Sequence, residues 1–119
     1  MPTRNQICYV EFHASDLERT KAFFSTVFGW VFTDYGPDYC AFGSPDFGGG
    51  FARGTRRNRL EEGGAAVVIF SDELERVRDR VSAHGGTITR DIFSFPGGRR
   101  FHFTEPSGNE LAVCDIEGV

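Results

Sequence analysis

The feature that most constrains this chain is that it repeats itself. With an offset of 57 positions, Ser15-Asp16-Leu17-Glu18-Arg19 lies on Asp72-Glu73-Leu74-Glu75-Arg76, Ser25 on Ser82 and Gly29 on Gly86. Toward the end of each half the offset becomes 61, and Phe42-x-x-Pro45 lies on Phe103-x-x-Pro106. Each half then reads as strand, helix, strand, strand, strand in about 55 residues. One such unit leaves an apolar sheet face uncovered, so two units must share a core. The expected fold is α+β, with two βαβββ modules pairing into an open, cupped, mixed sheet and helices on the outside. Residues 1–119 form one domain in this reading: module one at about 5–54, a polar connector at about 53–64, and module two at about 65–116.

Local patterns support that order. In Ile7-Cys8-Tyr9-Val10-Glu11-Phe12-His13, strand alternation puts Cys8, Val10 and Phe12 on one face and Tyr9, Glu11 and His13 on the other. Ser15 to Glu18 reads as a capping box, with Leu17, Phe23, Phe24, Val27 and Phe28 at helical spacing behind it and Gly29 as the stop. Trp30 to Phe32, Tyr39 to Phe42 and the glycine-loosened Gly48 to Ala52 are expected strands. In the second half, Ala65 to Phe70 is expected as a strand. Asp72 is expected to cap a helix whose inner face is Leu74, Val77, Val81 and His84. Thr87 to Thr89, Arg99 to Thr104 and Glu110 to Cys114 are the remaining expected strands.

Composition excludes several classes. Hydrophobic residues at 39% and charged residues at 25% describe a globular chain, not a disordered one. No apolar run reaches the roughly 20 residues of a membrane helix, and no signal-peptide core follows Met1. A net charge of −4 argues against nucleic acid as the main partner. The Arg53, Arg56, Arg57, Arg59 loop lies beside Glu61 and Glu62 and reads as solvated. Gly48-Gly49-Gly50 lacks the residues of a phosphate loop. Cys8, Cys40 and Cys114 form no CxxC pair and are expected as reduced thiols, buried in strands, in a cytoplasmic protein.

The chain resembles the vicinal oxygen chelate superfamily, which contains glyoxalase I, bleomycin-resistance proteins and extradiol dioxygenases. The resemblance rests on Val10-Glu11-Phe12 leading into Asp16 to Phe24, on Phe28-Gly29-Trp30, and on Glu105-Pro106-Ser107-Gly108-Asn109. It implies paired βαβββ modules around a cavity, commonly in a homodimer. It also implies, in metal-using members, ligands on the first and last strands of each half. Here those positions carry over to Tyr9, Ala66 and Ala112, and the region around Phe51 offers no acid. The expected His, Gln or Glu ligands are missing, so the expectation is no metal and no cofactor. A register slip of one or two residues would instead bring in Glu11 or Glu110 and a divalent Zn, Ni, Mn or Fe ion.

Glu11 is the candidate catalytic residue. Buried among Phe side chains, its carboxyl would titrate closer to neutrality and serve as general base or acid. The alternative is a strand carboxylate paired with Arg100 or Arg53. Tyr9, Glu11, His13, Arg100 and His102 are the candidate ligand-binding residues. His13 is otherwise a turn histidine, His102 faces either the cavity or solvent, and His84 suits a helix C-terminus. The 13 Phe residues line a pocket or fill the core. The expected function is binding of a small organic ligand, aromatic or cationic, by a metal-free cavity. The alternative is a glyoxalase-like lyase or isomerase using Glu11, with a dioxygenase behind it. The expected partners are that ligand and a second copy of the chain, with neither nucleic acid nor membrane.

Overall fold

The computed structural model describes residues 1–119. Strands β1 (Tyr9–Ala14), β2 (Phe32–Asp34), β3 (Tyr39–Gly43) and β4 (Gly48–Arg53) surround helix α1 (Leu17–Phe28) in the first half. Strands β5 (Val68–Phe70), β6 (Thr87–Phe95), β7 (Gly98–Thr104) and β8 (Glu110–Cys114) surround helix α2 (Leu74–Ala83) in the second. Hydrogen bonding divides them into two open four-stranded mixed sheets, ordered β1-β4-β3-β2 and β5-β8-β7-β6. The outer pairs match: β1 runs parallel to β4, and β5 parallel to β8. The fold is therefore α+β, built from two βαβββ modules. Neither helix is long and apolar enough to cross a membrane.

Helix α1 forms where its apolar spacing is helical, and it buries Leu17, Thr20, Phe23, Phe24 and Val27. Its cap is Asp16, one residue later than the expected Ser15. The Asp16 carboxylate accepts from the Arg19 N–H at 3.1 Å. Gly29 ends the helix at φ 74°, a left-handed conformation that a side chain would oppose. Helix α2 buries Leu74, Val77 and Val81. His84 leaves that face and sits exposed at the C-cap. Glu73, not Asp72, holds the N-cap position, and its N–H is satisfied by the Ser71 hydroxyl at 3.1 Å.

One core runs through both modules. Phe24 lies at its centre, stacked on Trp30 with ring centroids 4.6 Å apart and tilted against Phe51 at 5.4 Å. Phe23 crosses to module two and meets Phe103 at 5.8 Å. Phe12, Phe23, Phe24, Phe51, Phe101 and Phe103 are all buried, so core packing accounts for much of the Phe excess. Truncating one such ring costs about 3–5 kcal/mol, a large share of a small domain's stability of about 5–15 kcal/mol.

Several strand limits differ from expectation. β5 begins at Val68 rather than Ala65, because the Asn58 side chain takes both the N–H and the C=O of Ala65. β2 starts at Phe32, after Trp30 has turned inward onto Phe24 and Phe42. β6 continues to Phe95 as half of a long hairpin with β7. Cys40 is buried in β3 and Cys114 half-buried in β8, but Cys8 is exposed ahead of β1.

The modules are clasped by the turn between β7 and β8. Glu105 is 2% exposed, and its carboxyl accepts from the Thr20 hydroxyl of α1 at 3.0 and 3.2 Å and from the Ser107 N–H. Ser107 also receives the Asp16 N–H at 3.2 Å, and Asn109 donates to the His13 carbonyl at 2.7 Å. No cation contacts Glu105, and burial pushes its carboxyl from 4.5 up to about 7 against the opposing hydrogen bonds. A carboxyl raised on folding favours the folded state fully at low pH. That contribution shrinks as pH climbs through the unfolded value and is gone above the folded one. Unfolding free energy is therefore expected to fall by up to about 3 kcal/mol between pH 4.5 and pH 7.5. Urea titrations across that range are expected to show this slope, and Glu105→Gln to flatten it.

Candidate functional site

Each sheet has one face under the helices and one open face, and the sequence-derived candidates divide between the two open faces. On the first sheet, strand alternation in β1 aims Tyr9, Glu11 and His13 away from buried Phe12 and Ala14. Tyr39 joins them from β3. Its hydroxyl donates to Glu11 Oε1 at 2.9 Å and is hydrogen-bonded to the Tyr9 hydroxyl. Gly50 opposes Glu11 in the β1–β4 register, and a Cβ there would collide with both tyrosine hydroxyls. The glycine run in β4 thus makes room for two phenols beside one carboxylate.

Glu11 is exposed, not buried among Phe rings as expected. Neither Arg100 nor Arg53 pairs with it. Arg53 is held by Asp38 at 2.9 Å and by the Pro37 carbonyl. Tyr39 was not visible as a site residue in the sequence. The signal was Tyr39-x-Ala41-x-Gly43 opposite Gly48-x-Gly50-x-Ala52, a face of small residues on which one large ring can lie. Burial first, then the hydrogen bonds to Tyr9 and Glu11, push the Tyr39 phenol far above its ordinary range.

On the second sheet, Arg100 and His102 of β7 share the open face with Glu110 and Ala112 of β8. This face is covered by its own long side chains. His102 is 5% exposed and Glu110 7%. Glu110 accepts from the Leu60 N–H at 3.2 Å, from Arg59 at 3.3 Å and from the Thr89 hydroxyl at 3.3 Å. Burial raises its carboxyl, but these partners outweigh that and leave it below the usual range. His102 Nδ1 lies 3.6 Å from Glu110 Oε2. Burial and the nearby Arg100 hold the imidazole below its ordinary value, against the pull of Glu110. No hydrogen bond or ion pair joins Tyr9, Glu11 or His13 to Arg100 or His102, so the five candidates form two groups rather than one.

Two clefts run along the seam where β1 approaches β5 and β8. A polar one of about 240 Å³ is lined by Glu11, His13, Arg56, Arg57, Asn58 and Asn109. An apolar one of about 280 Å³ is lined by Trp30, Phe42, Phe47, Ile69 and Leu111 among others. The two share Val10, Phe12 and Val67. A larger cavity of about 430 Å³ lies away from all of these residues, near Phe95 and Val119. Its one guanidinium, Arg99, is already saturated by Glu75 and Asp115.

The side chains do not fit the metal centre implied by the resemblance. No three His, Cys, Asp or Glu side chains converge. Tyr9 is engaged with Tyr39, and Ala66 and Ala112 carry no donor atom. Glu11 and Glu110, the residues a register slip would recruit, sit on different sheets. Glu110 is already committed to Arg59, Thr89 and a backbone N–H.

The family model for the glyoxalase/bleomycin resistance protein/dioxygenase superfamily matches residues 6–113, and the chain belongs to that superfamily. A glyoxylase-like domain-containing protein of Didymella fabae is 31% identical over 99% of each chain. Among solved structures, a glyoxalase-related enzyme from Fulvimarina pelagi superposes with a TM-score of 0.78 at 19% identity, covering 93% of this chain and 88% of that one. A lactoylglutathione lyase from Agrobacterium tumefaciens gives 0.71 at 19% identity, covering 95% of both chains. At these identities the structural likeness is one of fold.

Two outcomes test the first-sheet cluster. Gly50→Ala is expected to drive the tyrosine rings off Glu11 and to cost about 1–3 kcal/mol by overpacking, read by chemical denaturation. Tyr39→Phe is expected to leave the 295 nm alkaline titration amplitude unchanged below about pH 11, because the native Tyr39 phenol stays protonated there.

Proposed function

We propose that this protein binds a small organic molecule, with an apolar body, in a seam cleft that needs no metal. The observation that carries this reading is that a polar cleft and an aromatic cleft adjoin on the seam, both lined by Val10, Phe12 and Val67. Aromatic walls meet a short row of polar groups, the usual make-up of a small-ligand site. Trp30, Phe42 and Phe47 supply the apolar contact, and Glu11, His13, Arg56 and Asn109 the orienting ends. The incomplete donor set supports a metal-free mode.

Trp30 is the chain's one tryptophan and lines the apolar cleft, so its emission reports occupancy directly. Titration with a panel of aromatic and aromatic-cationic compounds is expected to change Trp30 emission saturably. At about 100 times Kd it should add about 2.7 kcal/mol to the unfolding free energy. A panel that leaves both readouts unchanged would defeat the proposal.

The second reading is a glyoxalase-like lyase or isomerase in which Glu11 moves a proton next to a carbonyl. The Tyr39 hydrogen bond to Glu11 favours it, because it fixes one carboxylate oxygen and leaves the other free. In this mechanism the bound substrate itself excludes water from the exposed Glu11 carboxylate. The name of the Agrobacterium relative supports testing this class. On this reading, Glu11→Gln lowers turnover of an α-carbonyl substrate by at least about 100-fold.

A further inference from the structure

Three arginines approach the open face of β6, β7 and β8, and two of them have no carboxylate. Arg59 is paired with Glu110 at 3.3 Å and with Glu61 at 3.2 Å. Arg90 instead lies over the Phe93 ring, its guanidinium carbon 3.6 Å from the centroid. Arg100 stands 5.4 Å from both Phe93 and Phe95. Aromatic faces satisfy the guanidinium planes but leave the N–H edges free. The Nε of Arg100 is buried without a hydrogen-bond partner, and so is Nε2 of His102, two residues along the same strand face. Orphaned buried polar atoms are rare in native proteins, and two together call for a physical account. The sole carboxylate on this face, Glu110, already serves Arg59, Thr89 and the Leu60 N–H. A protein of net charge −4 therefore concentrates unneutralised positive charge at one spot.

We propose that this face is an oxyanion seat, in which Arg90, Arg100 and His102 Nε2 hold the carboxylate or phosphate group of a small anionic ligand. Two guanidinium edges suit the paired oxygens of either group, and charge-assisted bonds of this kind are the strong ones. Arg90 is exposed and free to swing from Phe93 toward an entering anion. His102 presents Nδ1 toward Glu110, so uptake of a proton turns Nε2 into a donor for the anion. The groups facing His102 are Arg100 on its own strand, Arg90 and Phe93 on β6, and Glu110 on β8, with Arg59 behind Glu110. Burial first, and then the arginines, disfavour the imidazolium, and a bound anion opposes both. The seat is separate from the seam cleft, which contains neither Arg90, Arg100 nor His102.

The test is NMR titration of the His102 imidazole with sodium benzoate and, separately, inorganic phosphate, at constant ionic strength. Saturable shifts, and a rise in the His102 titration midpoint with anion present, are expected. A response to benzoate alone assigns the seat to organic carboxylates, and a response to phosphate alone to phosphate groups. Arg100→Gln and Arg90→Gln are each expected to weaken binding about tenfold, with folding checked by circular dichroism. Arg76→Gln, a remote exposed helix position, should have no effect. The proposal fails if neither anion shifts His102 beyond a matched chloride control, or if Arg76→Gln weakens binding equally. It also fails if Arg100→Gln changes only the sedimentation mass, which would mean that a second chain satisfies these groups. The Trp30 response is read in the same samples, so failure of the seat and failure of the cleft are told apart.

Discussion

The structure depends on a buried carboxyl that holds its two halves together. Each βαβββ module covers one face of its own sheet with its own helix, which leaves the relation between modules to be set elsewhere. Glu105 sets it by entering the N-terminal turn of α1, where Thr20 and Ser107 supply hydrogen bonds but no cation supplies charge. A buried, unpaired carboxyl is costly when ionised, so this clasp tightens with protonation rather than with charge. The Phe23 and Phe103 contact then completes a core that neither module could close alone. Asn109, four residues beyond Glu105, ties β1 and the Asn58 loop to the same turn and lines the polar cleft.

The two open faces carry opposite chemistry although they come from related modules. The first presents phenols and a carboxylate on a bed of glycine and alanine, where small side chains let rings lie flat. The second presents guanidinium and imidazole groups above Phe93 and Phe95, where aromatic rings support the arginines. The two modules share one backbone plan, and the side chains at outward-facing strand positions differ between them while the inward-facing ones pack a common core. Of the ligand positions implied by the family resemblance, Tyr9 and Ala112 lie on these two faces, whereas Ala66 precedes β5 and Phe51 is buried in the core.

How much was legible follows from which signals are local. The repeat, both helices and the strand order could be read because periodicity and Gly29 punctuation act over a few residues. The caps slipped by one position, from Ser15 to Asp16, whose carboxylate accepts from the Arg19 N–H, and from Asp72 to Glu73, whose side chain makes no capping bond. β5 was shortened by Asn58, a partner seven residues distant that no alternation pattern reveals. Glu105 reads in the sequence as part of a turn motif, but its burial against Thr20, 85 residues earlier, is a tertiary fact.

The candidate site was legible only as a set of directions. Alternation correctly turned Tyr9, Glu11 and His13 away from the core, and Arg100 and His102 away from Phe101 and Phe103. The sequence by itself determined the module, its repetition and the face each residue occupies, because these follow from bond geometry and the local burial of apolar groups. The tertiary structure alone decided that the polar residues form two groups, that Tyr39 joins Glu11, that Glu110 is committed to Arg59, and that Arg100 and His102 keep unpaired nitrogens. Those outcomes depend on how two sheets dock, and docking is set by long-range packing and hydrogen bonds between residues far apart in the chain.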